Sequence, residues 1–335
     1  MDDYVIDTPV QINIWIRHEL FKKQFDIIKR VKPRYLIVQS DGGRNDEEWK
    51  EINKSRELVL NQVDWDCELT TLFMPENKGL YTMLMMTRNT VWEKYDRCIF
   101  LEDDEMPSIS LFRFCQELLK KYEKDERIGG IMCFNPLGVR KDADSDYFFC
   151  ECCNSWGYAT WKRSDVLLFD FSLNYSRSDY IKTLLRKRLD RSTYKRAIKC
   201  GNEKMIDGHV PAFEFFYGIG RATQNMLYIV PTYNLISNYG CGSDSTHSSS
   251  YKVLPKSEQK LYYSKTYDYS FPLKHPQYVV SDLVFQSKTR KLYGRNNPFK
   301  NVYKRVCKFF KTLLYEGFSG LIRKIKKNKK NKRES

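Results

Sequence analysis

Residues Cys98-Ile99-Phe100-Leu101-Glu102-Asp103-Asp104-Glu105 run from four apolar side chains straight into four carboxylates, and Met106-Pro107 follow. An unbroken apolar run of this length describes a strand buried on both faces. Acids at its carboxyl end stand where open α/β sheets bind their ligands, and clustered carboxylates there suit a hard divalent cation that holds phosphates. A charged turn with an Asp capping the next helix accounts for the same residues without any chemistry.

Upstream and downstream of this stretch, short apolar runs alternate with longer amphipathic ones. Strands are predicted at 10–16, 35–39, 68–73, 98–101 and 130–134, and helical periodicity at 18–31, 46–62, 80–95 and 109–123. This βαβ rhythm predicts an α/β fold with a sheet flanked by helices. Beyond Asn135 the rhythm changes. Residues 136–155 read as loop, 162–200 as helical and basic, 207–222 as a mixed apolar segment and 227–231 as one more strand. The region 240–298, rich in Ser, Tyr, Lys and Pro, reads as loops around a site followed by a connector.

The chain has 335 residues, 41% of them hydrophobic and 30% charged, which is ordinary for a globular protein. Its net charge of +15 is not spread evenly. Residues 286–335 hold 17 Lys and Arg against 2 Asp and Glu, leaving 40 of each sign in 1–285. A neutral body argues against a nucleic-acid-binding domain and makes the tail a separate module. No run approaches about 18 apolar residues, and Met1-Asp2-Asp3-Tyr4 is acidic where a signal peptide is basic. The expectation is a cytoplasmic protein with reduced cysteines.

Other candidate residues cluster at the predicted strand ends. Ser40-Asp41-Gly42-Gly43 follows the second strand, where Asp41 and Gly42 suit a base or ribose, or form a plain Asp-Gly turn. Arg17, after the first strand, suits a phosphate or a solvated strand end. Trp156, Gly157 and Trp161 gather aromatics around a glycine, which fits stacking on a sugar face or core packing equally. Glu214, among Phe213, Phe215 and Phe216, has the apolar setting that tunes an acid for proton transfer; a helix residue pointing to water gives the same pattern. His247 lies in a polar loop and is a candidate ligand. Cys150-Glu151-Cys152-Cys153 lacks the second Cys pair that a zinc site needs.

Arg17, Asp41-Gly42, Asn77-Lys78-Gly79, Leu101-Glu102-Asp103-Asp104 and Pro107, in this order, resemble the GT-A glycosyltransferases, of the N-acetylglucosaminyltransferase I class and bacterial surface-polysaccharide types. The resemblance covers about 9–250. It implies a GT-A (Rossmann-like) mixed sheet within a catalytic domain at 1–250, with a nucleotide-sugar half at about 1–135 and an acceptor half at 136–250, then a connector at 251–298. It also implies a nucleotide-diphosphate sugar donor, UDP-sugar favoured, touched by Arg17, Asp41, Gly42, Glu102, Asp103 and Asp104. Mn²⁺ or Mg²⁺ would be held by Asp104, with His247 as a further ligand. Trp156, Gly157 and Trp161 would shape the sugar and acceptor pocket, and Glu214 would be the base of an inverting transfer onto a glycan or lipid-linked glycan. Two departures stand out: Glu214 occupies a position usually held by Asp, and Phe replaces Trp beside it. A sugar-nucleotidyltransferase is the second reading, but such enzymes carry a Gly-rich loop where this chain has Ile14-Trp15-Ile16-Arg17-His18.

The tail, 299–335, predicts an amphipathic helix. At about 100° per residue from Phe299, Val302, Val306, Phe309, Phe310, Leu313 and Leu314 fall between about 280° and 60°, and Lys300, Lys304, Arg305, Lys308 and Lys311 between about 100° and 240°. Such a basic helix suits an anionic membrane surface on the inner face of the cell membrane. An apolar stripe docked on the body, with lysines in water, is the competing arrangement.

Overall fold

The computed structural model describes residues 4–151, 156–169, 173–202, 213–241, 251–293 and 298–333. Its first half alternates β1 (Val10–Ile14), α1 (His18–Val31), β2 (Tyr35–Ser40), α2 (Asp46–Gln62), β3 (Glu68–Phe73), α3 (Leu80–Lys94), β4 (Arg97–Glu102), the short β5 (Glu105–Pro107), α4 (Ser110–Lys121) and β6 (Ile128–Met132). There follow β7 (Tyr147–Cys150), β8 (Tyr158–Trp161), α5 (Lys162–Leu168), α6 (Asp179–Arg188), α7 (Arg191–Asn202), α8 (Phe213–Gln224), β9 (Leu227–Pro231) and β10 (Ile236–Asn238). The chain then carries α9 (Lys256–Gln259), α10 (Leu283–Tyr293) and α11 (Pro298–Arg333).

Eight strands form one mixed sheet in the order β3-β2-β1-β4-β8-β6-β9-β7, and β5 pairs antiparallel with β10 beside it. Strands β3, β2, β1 and β4 are parallel, so the carboxyl ends of β1, β2 and β4 share one edge. The chain leaves β1 towards β2 on one side and returns to β4 on the other, so the strand order reverses between β1 and β4. A crevice at such a switch point is where open α/β sheets take ligands.

Both faces of the central strands are covered, which is why β2 and β4 are mostly apolar. Val10, Ile12, Ile14, Leu36, Val38, Ile99 and Leu101 pack on one face against Phe21, Phe25 and Ile28 of α1 and Leu111, Phe114 and Leu118 of α4. The i, i+4, i+7 spacing in α1 places its three side chains on one stripe, and each is worth about 1.5–3 kcal/mol when fully buried. Ile37, Cys98, Phe100, Tyr158 and Tyr228 face the other way, against Val91 and Trp92 of α3, Leu168 of α5 and Phe285 of α10. A smaller cluster of Leu173, Tyr175, Leu185, Ala197, Phe216 and Ile219 holds the helical segment together.

The α/β architecture with a mixed, helix-flanked sheet and a C-terminal basic helix is the expected one. Two details differ. Residues 147–150, read as loop, form the edge strand β7, whose four residues are all buried. Trp161, read as a pocket residue, lies opposite Arg97 in the antiparallel β4–β8 pair, at the far end of β4 from the acids. It is buried in the core, and its indole N–H donates to the Leu119 carbonyl at 3.1 Å. Antiparallel pairing reverses the direction of β8, so only its first residues reach the acidic edge.

Candidate functional site

The acids after β4 are held by chain from both halves of the sheet. The Arg17 guanidinium donates to Asp103 Oδ1 at 2.9 Å and to Asp104 Oδ2 at 2.5 Å. Asp103 Oδ2 accepts the Trp15 amide at 3.0 Å. Asn238 of β10 donates its side-chain amide to Asp104 Oδ1 at 2.9 Å, and the Tyr239 amide donates to the Asp104 carbonyl at 2.7 Å. The β5–β10 pairing places Asn238 opposite Glu105, so this contact is a consequence of register. Gly240 closes the turn: a Cβ there would stand 1.8 Å from Asp104 Oδ2.

Glu105 is fully buried and braces the turn. Its Oε2 accepts the Glu102 amide at 2.9 Å, and its Oε1 accepts the Gly157 amide at 3.0 Å. Gly157 has φ +54°, and a side chain there would collide with Ile236. Gln24 of α1 donates to the carbonyls of Glu102 and Glu105 at 2.7 and 2.6 Å. Trp156 packs between Phe134, edge to face at 4.7 Å between ring centroids, and Tyr262, tilted at 5.0 Å. Trp156 and Gly157 thus stand beside the acidic turn, and Trp161 does not.

Burial without full charge compensation leaves these carboxyls reluctant to ionise. Asp103 is pushed up to about 6 by burial, against the pull of Arg17. Burial also raises Asp104, and Glu105 lies well above the ordinary carboxylate range through burial and the neighbouring Glu102 and Asp104 charges. Carboxylate oxygens of Glu102, Asp104 and Glu105 lie within 4.8 Å of one another, the one such set among the described residues. An all-oxygen donor set of this charge fits a hard divalent cation.

A pH dependence follows. Coordination needs the deprotonated carboxylates of Asp104 and Glu105, both raised by burial, so protons compete, and cation affinity should rise with pH above the ordinary carboxylate range. In the cation-free chain the sign is opposite: the folded state holds these protons more tightly than the unfolded chain, so stability falls as pH rises over the same range. The Mn²⁺-induced increase in melting temperature is expected to grow between mildly acidic and mildly basic pH. An increase independent of pH would rule these acids out as the cation's ligands.

Asp41 makes a different use of its carboxylate. Oδ1 accepts the Gly42 and Lys78 amides, both at 2.8 Å, and Oδ2 accepts the Gly79 amide at 2.9 Å and the Asn77 side chain at 3.2 Å. These four bonds fill its lone pairs and clasp loop 77–79 at the start of α3. The Gly42 carbonyl accepts from Trp15 and Asn77 at 3.2 and 2.8 Å. Arg56, not singled out in the sequence, donates to the carbonyls of Ser40, Asp41 and Met74 at 2.8–3.1 Å and fixes the same edge. Glu214 falls in the first turn of α8, but its side chain lies outside the described residues, as does His247 entirely.

No family model and no curated protein matches the sequence. Parts of the chain are similar to a mannosyltransferase from Pyrobaculum calidifontis, PcManGT, in complex with GDP-Man and Mn²⁺, at 17% identity over 50% of this chain and 46% of that one, TM-score 0.32. Mannose-1-phosphate geranyltransferase from Thermus thermophilus is similar at 9% identity over 70% and 76%, TM-score 0.29. HddC from Yersinia pseudotuberculosis is similar at 9% over 47% and 79%, TM-score 0.27. The chain spans just under half the length of the first of these. At such identities and TM-scores, what those proteins bind or transfer carries no argument about this one.

Proposed function

We propose that this chain is a cation-dependent glycosyltransferase of GT-A type, moving a sugar from a nucleoside-diphosphate donor to a hydroxyl of a glycan precursor. One observation carries the reading: a buried acidic turn and an arginine meet at the sheet's switch point, where Arg17 follows β1 and Asp103 and Asp104 follow β4. A diphosphate leaving group gathers negative charge, and a divalent cation supplies the Lewis acid that stabilises it. Glu102, Asp104 and Glu105 are the residues that would hold the cation. Arg17, already aimed at this edge, would transfer its two donors from the carboxylates to a phosphate as the cation takes over their charge. Gln24, Asn238 and the Gly157 amide keep the turn in place without reorganisation. Trp156, packed beside the turn, offers an apolar wall for the sugar.

The base that takes the acceptor proton is assigned to Glu214 on sequence alone, and one base in a single displacement inverts the anomeric centre. A UDP-sugar donor and a surface-glycan or lipid-linked acceptor complete the proposal. A nucleotidyltransferase has less support, because α1 begins at His18 immediately after Arg17, leaving no glycine-rich loop to cradle a triphosphate.

A panel of nucleotide sugars, each scored by thermal shift with and without Mn²⁺, tests this. One nucleoside-diphosphate sugar is expected to raise the melting temperature by about 2–4 °C at saturation, in the presence of the cation only. Response to a nucleoside triphosphate with a sugar phosphate, and to no diphosphate sugar, would overturn it.

A further inference from the structure

Helix α11 is attached to the rest of the chain by the side that sequence patterning would leave in water. Lys304 lies 3.1 Å from Glu258 of α9 and donates to the Tyr293 carbonyl at 3.2 Å, while Lys311 donates to the Leu254 carbonyl at 2.7 Å. Thr312, on the same side, is 1% exposed. The opposite side carries Phe299, Val302, Val306, Phe309, Phe310 and Leu314, which are 46–86% exposed. Apart from half-buried Leu313, the apolar stripe therefore does not dock on the body, whereas Lys304, Lys311 and Thr312 of the opposite side do. Past Phe310 and Leu314 the helix breaks at Gly317, with φ 64° and ψ −169°, and Phe318 and Ile322 beyond the break are exposed as well.

An exposed apolar face of this extent marks an interaction surface, and its charge selects the occupant. Eight Lys and Arg follow between 323 and 333, and the whole net charge of the chain resides in 286–335. Two copies of such an element would repel one another. Nucleic acid would match the charge but leave the Phe, Val and Leu face uncovered. An anionic lipid surface satisfies both, taking apolar side chains between its headgroups and lysines at their level. We propose that α11 docks this chain on an anionic membrane as an interfacial helix, Phe299 to Leu314 entering the bilayer and the 323–333 cluster lying on the headgroups. No described helix is long and apolar enough to cross a membrane, so the docking is peripheral. The inference stands on α11 alone and does not rest on glycosyl transfer.

Sedimentation of the full chain with vesicles tests it without any activity measurement. Phosphatidylcholine vesicles containing phosphatidylglycerol are expected to carry the protein down in low salt and to release much of it in high salt, and pure phosphatidylcholine to bind weakly. The F309E/F310E double variant should bind roughly a hundredfold more weakly, about tenfold for each phenylalanine kept in water. Because both side chains face outward, its melting temperature should stay near that of the parent. Replacing Lys326, Lys327, Lys329 and Lys330 by Ala leaves the apolar face intact and should remove the salt dependence. Equal binding by parent and F309E/F310E overturns the proposal. So does failure of the parent to bind anionic vesicles, whether it instead dimerises in sedimentation velocity through these phenylalanines or binds DNA.

Discussion

Asp104→Asn is expected to lower turnover by about 10³-fold, the worth of a Lewis-acid contact of several kcal/mol, and to abolish the Mn²⁺-induced rise in melting temperature. The carboxylate has three tasks at once. Oδ2 holds Arg17, Oδ1 holds Asn238, and one of the two lies within 4.8 Å of carboxylate oxygens of Glu102 and Glu105. An amide keeps the volume but offers one acceptor, so its NH₂ must confront a donor, Arg17 or Asn238. That conflict costs about 1–3 kcal/mol of stability, partly offset because a charge is removed from a crowded acidic turn. The variant should stay folded by circular dichroism, so that loss of the cation response reports on ligation. A variant that binds Mn²⁺ like the parent would remove Asp104 from the site.

The second large effect is on stability. Asp165→Ala is expected to cost about 3–5 kcal/mol, because it strands a buried guanidinium. Arg88 of α3 and Asp165 of α5 form an ion pair whose side chains are 4% and 3% exposed. Arg88 also donates to the Tyr158 hydroxyl at 2.7 Å and lies 5.4 Å from the Phe100 ring and 4.4 Å from that of Phe169, while the Trp92 indole donates to Asp165 at 2.8 Å. The pair ties two helices to one face of the sheet. Chemical denaturation of D165A should show the loss. A double variant, R88M/D165L, should recover part of it, since an apolar pair of similar volume removes the stranded charge, while the Trp92 indole N–H is left without its acceptor. A loss below about 1 kcal/mol in D165A would mean that water reaches the pair.

Much of this architecture is legible from residues alone, for physical reasons. Strands β2 and β4 are buried in the sheet, so each is written as a largely apolar run, and α1 and α2 end where the periodicity ends. The acidic turn is legible too, because four carboxylates after an apolar strand are a conspicuous pattern. What the residues hide is what depends on pairing. Tyr147–Cys150 is a strand because β9 offers it an edge, and Tyr158–Trp161 is a central strand because β4 and β6 flank it. Neither condition is local. Asp41 shows the same limit within the site: an Asp-Gly after a strand reads alike whether the carboxylate faces a ligand or clasps a loop, and Asn77 to Gly79 decide the matter from 36 to 38 residues away. Asn238 carries a faint signal, as an amide preceding Tyr-Gly after a strand, but nothing in it names Asp104 as the partner.

The threading of the acidic turn also sets when it can exist. Trp15 and Arg17 secure Asp103 from 86 to 88 residues upstream, whereas Asn238 secures Asp104 from 134 residues downstream. As the polypeptide emerges from the ribosome, β1 to β4 become available long before β10. A nascent chain that stops short of residue 236 has its arginine and its acids but lacks the strand that pairs with Glu105–Pro107. Contacts of such sequence separation form late, after the loop-closure entropy has been met. The acidic turn is therefore held from both sides only once residue 238 has been made.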